Sequence, residues 1–179
     1  HQEARRQRQM CIRDRYRTAH FGKWHLANNM ITDSPLPSEY GYDEYGAFNC
    51  AGEQMPVHED AKHTIAFIEK CNDEKKPFFI NLWIHEHHTP FHTVPKYRWR
   101  FRELPEPDNI YASVLSHADD RIGEVLNSLD RLKLTKNTLV IFSSDNGPAR
   151  AASPTELTLM HDTATGAGYG IGAAKGITG

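Results

Sequence analysis

The sequence predicts an α/β protein with a mainly parallel sheet flanked by helices, and two stretches carry that prediction. His58 to Asn72 has helical spacing. It runs through Lys75-Lys76-Pro77 into the nearly continuous apolar stretch Phe78-Phe79-Ile80-Asn81-Leu82-Trp83-Ile84. Such a stretch is the mark of a strand covered on both faces, and a helix leading into a buried strand is half of a parallel-sheet unit. The second stretch is a long helical period from Ile110 to Leu132. It turns at Thr135-Lys136-Asn137 into the apolar run Leu139-Val140-Ile141-Phe142 and then into Ser144-Asp145-Asn146-Gly147-Pro148. A strand read over 138–144 would thus end in a turn bearing a carboxylate and an amide, where open α/β sheets place their ligands.

Composition fits one ordinary domain. The chain has 179 residues, 25% charged and 39% hydrophobic, which is globular rather than disordered. A net charge of -2 gives no electrostatic pointer to nucleic acid. No apolar run approaches the length of a membrane span, and no secretory apolar region opens the chain. Cys11, Cys50 and Cys71 form neither a CxxC pair nor a zinc spacing.

Residues 1–15 differ from the rest, with five Arg and no hydrophobic period. The run Arg5 to Arg15 reads as a translated transposase sequencing adapter, and such scars are excluded from fold reasoning. The expectation is a non-native, exposed segment over 1–15 and a native domain over 16–179. Without the five Arg, one Glu and one Asp of residues 1–15, the 21 basic and 23 acidic residues become 16 and 21, a net of -5.

The elements follow in order. Tyr16 to Phe21 is rich in β-formers and reads as a short strand. Gly22-Lys23-Trp24-His25 follows as a turn presenting a cation and an imidazole, or more plainly as a strand end with a solvated Lys and a half-buried Trp-His pair. Residues 26–57 read as loop, punctuated by Pro35, Pro37, Gly41, Gly46, Gly52 and Pro56. Tyr40, Tyr42, Tyr45 and Phe48 give that loop something to pack with. In the helix that follows, Ala61, Ile65, Ile68 and Cys71 form one stripe.

The strand 78–84 runs into His85-Glu86-His87-His88-Thr89-Pro90-Phe91-His92. Thr89 stands where an HExxH zinc motif needs its second His, and the stretch lies between a strand and a Pro, so that motif is excluded. An imidazole at a strand's carboxyl end can still protonate a leaving group. His85, His87 and His92 read as surface loop residues.

Residues 93–109 read as a Pro-bearing connection anchored by Trp99 and Phe101. In the long helix, Asp119 and Asp120 diverge by about 100° and read as a solvated face or a local salt bridge. The Asp145-Asn146 turn has two readings, a β-turn or two oxygen ligands for a hard cation such as Ca²⁺ or Mg²⁺. Gly168-x-Gly170-x-x-Ala173 lacks the strand and helix a dinucleotide loop requires.

Taken together, four segments in order resemble the sulfatase family of the alkaline-phosphatase-like superfamily. They are Thr18-Ala19-His20-Phe21-Gly22-Lys23-Trp24-His25-Leu26, the helix and strand ending in His88-Thr89-Pro90, Asp120-Arg121-Ile122-Gly123 in the long helix, and Asn137 through Pro148. Tyr40-Gly41-Tyr42-Asp43 is also similar to a Gly-Phe-Asp loop of that family. The resemblance covers about 16–179 and implies a partial alkaline-phosphatase-like α/β/α sandwich.

The resemblance further implies a sulfuric ester hydrolase that uses a formylglycine and Ca²⁺. Asp145 and Asn146 would ligate the ion, Lys23 and His25 would contact the sulfate and the formylglycine, and His88 would reach the ester oxygen. Such chemistry needs fixed cations for charge developing at sulfur and a proton for the leaving alkoxide. The substrate would be a sulfated small molecule or glycan, with export to a periplasmic, extracellular or lysosome-like compartment.

Cys11 departs from the formylglycine motif, since Arg13 stands where Pro or Ala belongs. The expectation is an internal piece of the catalytic domain, inactive by itself. The alternatives are a phosphoester or phosphonate hydrolase of the same superfamily, distinguished by its nucleophile motif, and a catalytically dead binding module.

Overall fold

The computed structural model describes residues 16–24, 26, 34–48, 54–88 and 91–144, together with two short strands at 161–162 and 167–168. The expectations for residues 1–15, His25, Asp145 and Asn146 therefore lie outside the described residues. The chain forms two compact units, His1–His85 with Ile122–Lys136, and Glu86–Arg121 with Asn137–Gly179.

The first unit is built on a parallel sheet. Strand β1 (Arg17–Lys23) lies between β2 (Glu44–Phe48) and β3 (Phe78–Trp83), in the order β2-β1-β3. Ala19 pairs with Glu44 on one side and Ile80 on the other, and Gly22 pairs with Ala47 and Trp83. With β2 following β1 in sequence and β3 following β2, each connection is a crossover, as parallel pairing requires.

Alternation along β1 divides its side chains between two faces. Ala19 and Phe21 pack with Phe67 and Cys71 of helix α1 (Asp60–Asp73) and with Phe78, Ile80 and Leu82. His20 faces the other way, into an aromatic cluster. Helix α1 buries Ala61, Thr64, Phe67, Ile68 and Cys71, so Phe67 takes the place on the buried stripe that spacing alone assigned to Ile65.

The end of β1 away from the site is tied down by polar contacts. The Thr18 backbone N–H donates to the Asp43 carboxylate at 2.9 Å, and the Asp43 N–H donates back to the Thr18 carbonyl at 2.9 Å. Arg17 lies 3.3 Å from Glu44 and 3.8 Å from Glu74, and Lys70 also pairs with Glu44.

The second unit contains the short helix α2 (Pro95–Arg100) and the first part of the long helix α3 (Glu106–Arg131). Its core joins Phe91, Ile110 and Val114, with Tyr111 packed against them. Tyr97 is buried and donates its hydroxyl proton to Asp120 at 2.7 Å, and Lys96 lies 3.6 Å from the same carboxylate. The local salt-bridge reading of Asp120 thus holds. Strands β4 (His161–Asp162) and β5 (Ala167–Gly168) form a separate antiparallel pair.

Four expectations are corrected. Residues 26–57 contain β2 and a 3-10 turn at Pro37–Tyr40; β2 is short and interrupted by Gly46, and its parallel partner lies far off in sequence, so no local pattern marks it. Strand β3 is half-buried rather than covered on both faces, because among the described residues it pairs only with β1. Trp99 is 70% exposed and does not anchor its connection; Tyr97 does.

The fourth correction is the strand over 138–144. Those residues lie outside any strand, and Leu139, Ile141 and Phe142 are each more than 80% exposed. An apolar run becomes a strand only when a neighbour pairs its backbone and covers its side chains, and this run has no ladder partner among the described residues.

Candidate active site

Lys23 is the last residue of β1, and the sheet geometry explains how it is held. Gly22 has φ of +104°, a conformation that only glycine adopts without strain. A Cβ at Gly22 would stand 1.9 Å from the Trp83 carbonyl oxygen, so the backbones of β1 and β3 approach there as no side chain would allow. The chain then bends, and the Trp24 N–H donates to the Phe48 carbonyl at 2.7 Å.

Trp24 is 1% exposed, not half-buried. Its indole stacks on Trp83 at 6.2 Å and meets Tyr40 edge-on at 5.2 Å, with Leu36, Tyr42 and Ala47 completing the cluster. The loop aromatics Tyr40 and Tyr42 thus pack as expected and brace the end of β1.

His20 lies inside this cluster, 0% exposed. Its Nε2 is 3.1 Å from the Lys23 carbonyl oxygen. A carbonyl only accepts, so Nε2 carries the proton. Nδ1 faces the Asn81 amide at 3.5 Å. Burial pushes the imidazole down to about 4, with the backbone hydrogen bonds only partly opposing it; the ring is neutral at neutral pH.

Because β1 and β3 are parallel, with Gly22 opposite Trp83, both leave the sheet at the same carboxyl edge. Lys23 and the segment leading from Trp83 toward His88 begin there. His88 is half-buried, in the turn that follows β3. His85 is not a surface residue: it is buried, stacked on Phe48 at 4.4 Å with planes 18° apart. The ring stack accounts for its burial, and no hydrophobic period in the sequence marks it.

Two further buried residues escaped the sequence reading. Within the second unit, Glu86 and His117 are both buried, and a carboxylate oxygen and a ring nitrogen lie within 4.8 Å of each other. Cys71 is buried, and burial pushes its thiol up to about 11, which excludes it as a nucleophile at neutral pH.

The sulfatase family model matches residues 10–172. The chain is 23% identical over 177 residues to an ulvan-active sulfatase of Formosa agariphila, covering 77% of this chain and 34% of that protein. It is 25% identical over 170 residues to the mouse N-acetylgalactosamine-6-sulfatase, covering 75% of this chain and 31% of the relative. The chain therefore spans about a third of the length of these relatives.

Among solved structures, Ps i-CgsB superposes with a TM-score of 0.58 at 19% identity, over 70% of this chain and 36% of that one; one of its structures is a complex with k-i-k-neocarrahexaose. That likeness establishes the fold, a partial α/β alkaline-phosphatase-like domain with a parallel sheet. With a family model matched over nearly its whole length, this chain belongs to the sulfatase family.

Proposed function

We propose that the chain is part of the catalytic domain of a sulfuric ester hydrolase acting on sulfate monoesters of a glycan or small molecule. The observation that supports this most directly is the parallel pairing of Gly22 with Trp83. It puts Lys23 and the carboxyl end of β3, from which the sequence continues toward His88, at one edge of the sheet, the edge where α/β proteins bind ligands. The ulvan and N-acetylgalactosamine in the names of the sulfatase relatives, and the neocarrahexaose bound in the neighbouring structure, support a carbohydrate substrate.

In this reading the Lys23 ammonium pairs with sulfate oxygens, and its backbone is fixed before substrate arrives, so little reorganisation opposes charge development. His25 contacts the nucleophile, a formylglycine that no residue described here supplies. His88 donates a proton to the departing alkoxide oxygen. Asp145 and Asn146 offer oxygen donors of the kind Ca²⁺ takes; that ion would supply positive charge against the sulfate oxygens. The phosphoester alternative shares this edge and differs in the nucleophile.

The test uses the full chain that carries this sequence, assayed against an aryl sulfate and the matching aryl phosphate. Sulfate turnover that falls at least a hundredfold in K23A and on chelation of divalent cations is expected, with no turnover by residues 1–179 alone. Preferential turnover of the phosphate ester, or undiminished activity in K23A, would overturn the reading.

A further inference from the structure

Beyond the residues assigned to the sulfate, the structure contains a buried imidazole that acts on one of them through the backbone. In a regular strand the carbonyls lie in the plane of the sheet, while side chains stand perpendicular to it. The ring of His20 reaches the carbonyl of Lys23, three residues on, only because the chain bends after Gly22 at φ +104°. The hydrogen bond therefore reports that bend and opposes its straightening.

The ring itself has little freedom. It meets Trp24 edge-on at 4.7 Å and Trp83 edge-on at 5.1 Å, and Tyr42 lies at 5.6 Å. The Asn81 amide faces Nδ1 at 3.5 Å and donates to the Tyr42 hydroxyl at 3.4 Å. Thus β3, the loop carrying Tyr42 and the residue after β1 all hold one side chain, whose proton points at Lys23.

We propose that His20 is a positioning residue: its Nε2–H clamps the Lys23 carbonyl, fixes the bend at Gly22-Lys23, and so sets the direction in which the Lys23 ammonium is presented. This rests on the reading of Lys23 as the sulfate-contacting cation. The donor is neutral, so it adds no charge to the site and leaves Lys23 as the local cation of the strand end.

The experiment compares H20L, H20Q and H20N in the full chain. Leucine fills the space without a donor. Glutamine places an amide N–H near the position of Nε2, and asparagine is too short to do so. H20L is expected to lower kcat/KM for an aryl sulfate about ten- to a hundredfold, the scale of a small misplacement of a catalytic group. H20Q should recover to within about threefold of wild type, with H20N remaining impaired.

F67L, a core substitution on the opposite face of β1, serves as a stability control and should leave kcat/KM unchanged below its melting temperature. A K23A variant lacking activity beside a fully active H20L overturns the His20 inference alone. Activity persisting in K23A overturns the Lys23 reading and the inference with it. Should H20L fail to fold, equal activity of H20Q and H20N overturns the proposal, and a Gln-specific recovery supports it.

Discussion

Gly22 packs against the main chain of Trp83 so closely that a methyl group on it would stand 1.9 Å from the Trp83 carbonyl oxygen. The obstacle is backbone, which cannot swing aside as a side chain would, and φ of +104° adds strain for any L-residue. G22A is therefore expected to cost about 3 kcal/mol, the upper part of the usual range for single substitutions, and to shift the urea midpoint accordingly. G46A is the internal contrast. Its added methyl meets the Met55 sulfur at 2.7 Å, the end of a flexible side chain, so the loss should be smaller. Equal midpoints for wild type and G22A would show that the sheet edge relaxes freely.

His20 gives the fold a dependence on acid. Its ring is faced by Trp24, Tyr42, Asn81 and Trp83, none of which carries charge between pH 4 and 7. The folded-state value, about 4, lies below the ordinary 6.5, so the unfolded chain binds the proton more readily. Stability is full above pH 6.5 and is lost as pH falls toward 4. From pH 7 to 4.5 the loss assignable to this group is about 2 kcal/mol. H20Q should lack that increment, so its urea midpoint should fall less than that of wild type over the same interval. Parallel pH profiles would place the proton acceptor elsewhere.

Much of this architecture was legible because it is written locally. The central strand, helix α1 and the long helix α3 each repeat a pattern within a few residues of themselves, and Asp120 found its cation on the neighbouring segment at Lys96. What failed depends on partners distant in sequence. Glu44 to Phe48 becomes a strand by pairing with Ala19 to Lys23, and Leu139 to Phe142 carries strand-forming residues without a ladder neighbour among those described. The same division runs through the site. The proposed roles of Lys23 and His88 come from motif strings, whereas the role proposed for His20 comes from a bend at Gly22 and from rings on another strand and a loop.

Tyr97 and Asp120 form a pair that is testable without enzymatic activity. The Tyr97 hydroxyl donates to Asp120 at 2.7 Å. This hydrogen bond is the largest reason that the Asp120 carboxyl lies below the usual range, with Lys96 adding to it. Tyr97 is raised, first by burial and then by the same carboxylate. Y97F should therefore raise the Asp120 value toward that of an ordinary carboxyl, as followed by carbon-detected NMR titration. D120N should lower the Tyr97 value only in part, as followed by ultraviolet titration, because burial remains. An Asp120 titration unaffected by Y97F would mean that Lys96 dominates.

The role proposed for His88 makes a prediction that depends on the leaving group. A general acid matters in proportion to the basicity of the oxygen it protonates. A nitrophenolate departs without a proton, whereas a sugar alkoxide does not. H88A should thus leave turnover of 4-nitrophenyl sulfate within a few-fold of wild type. For a sulfated sugar the loss should be about 10²- to 10⁴-fold, the usual range for a general acid. K23A provides the contrast, since a cation paired with sulfate oxygens serves both substrates and its removal should depress both alike. The measurement is kcat/KM for the two substrates in each variant. If H88A lost the same factor on both, His88 would be acting on the sulfate or on the architecture of the turn after Trp83, and the proton would have to come from another group.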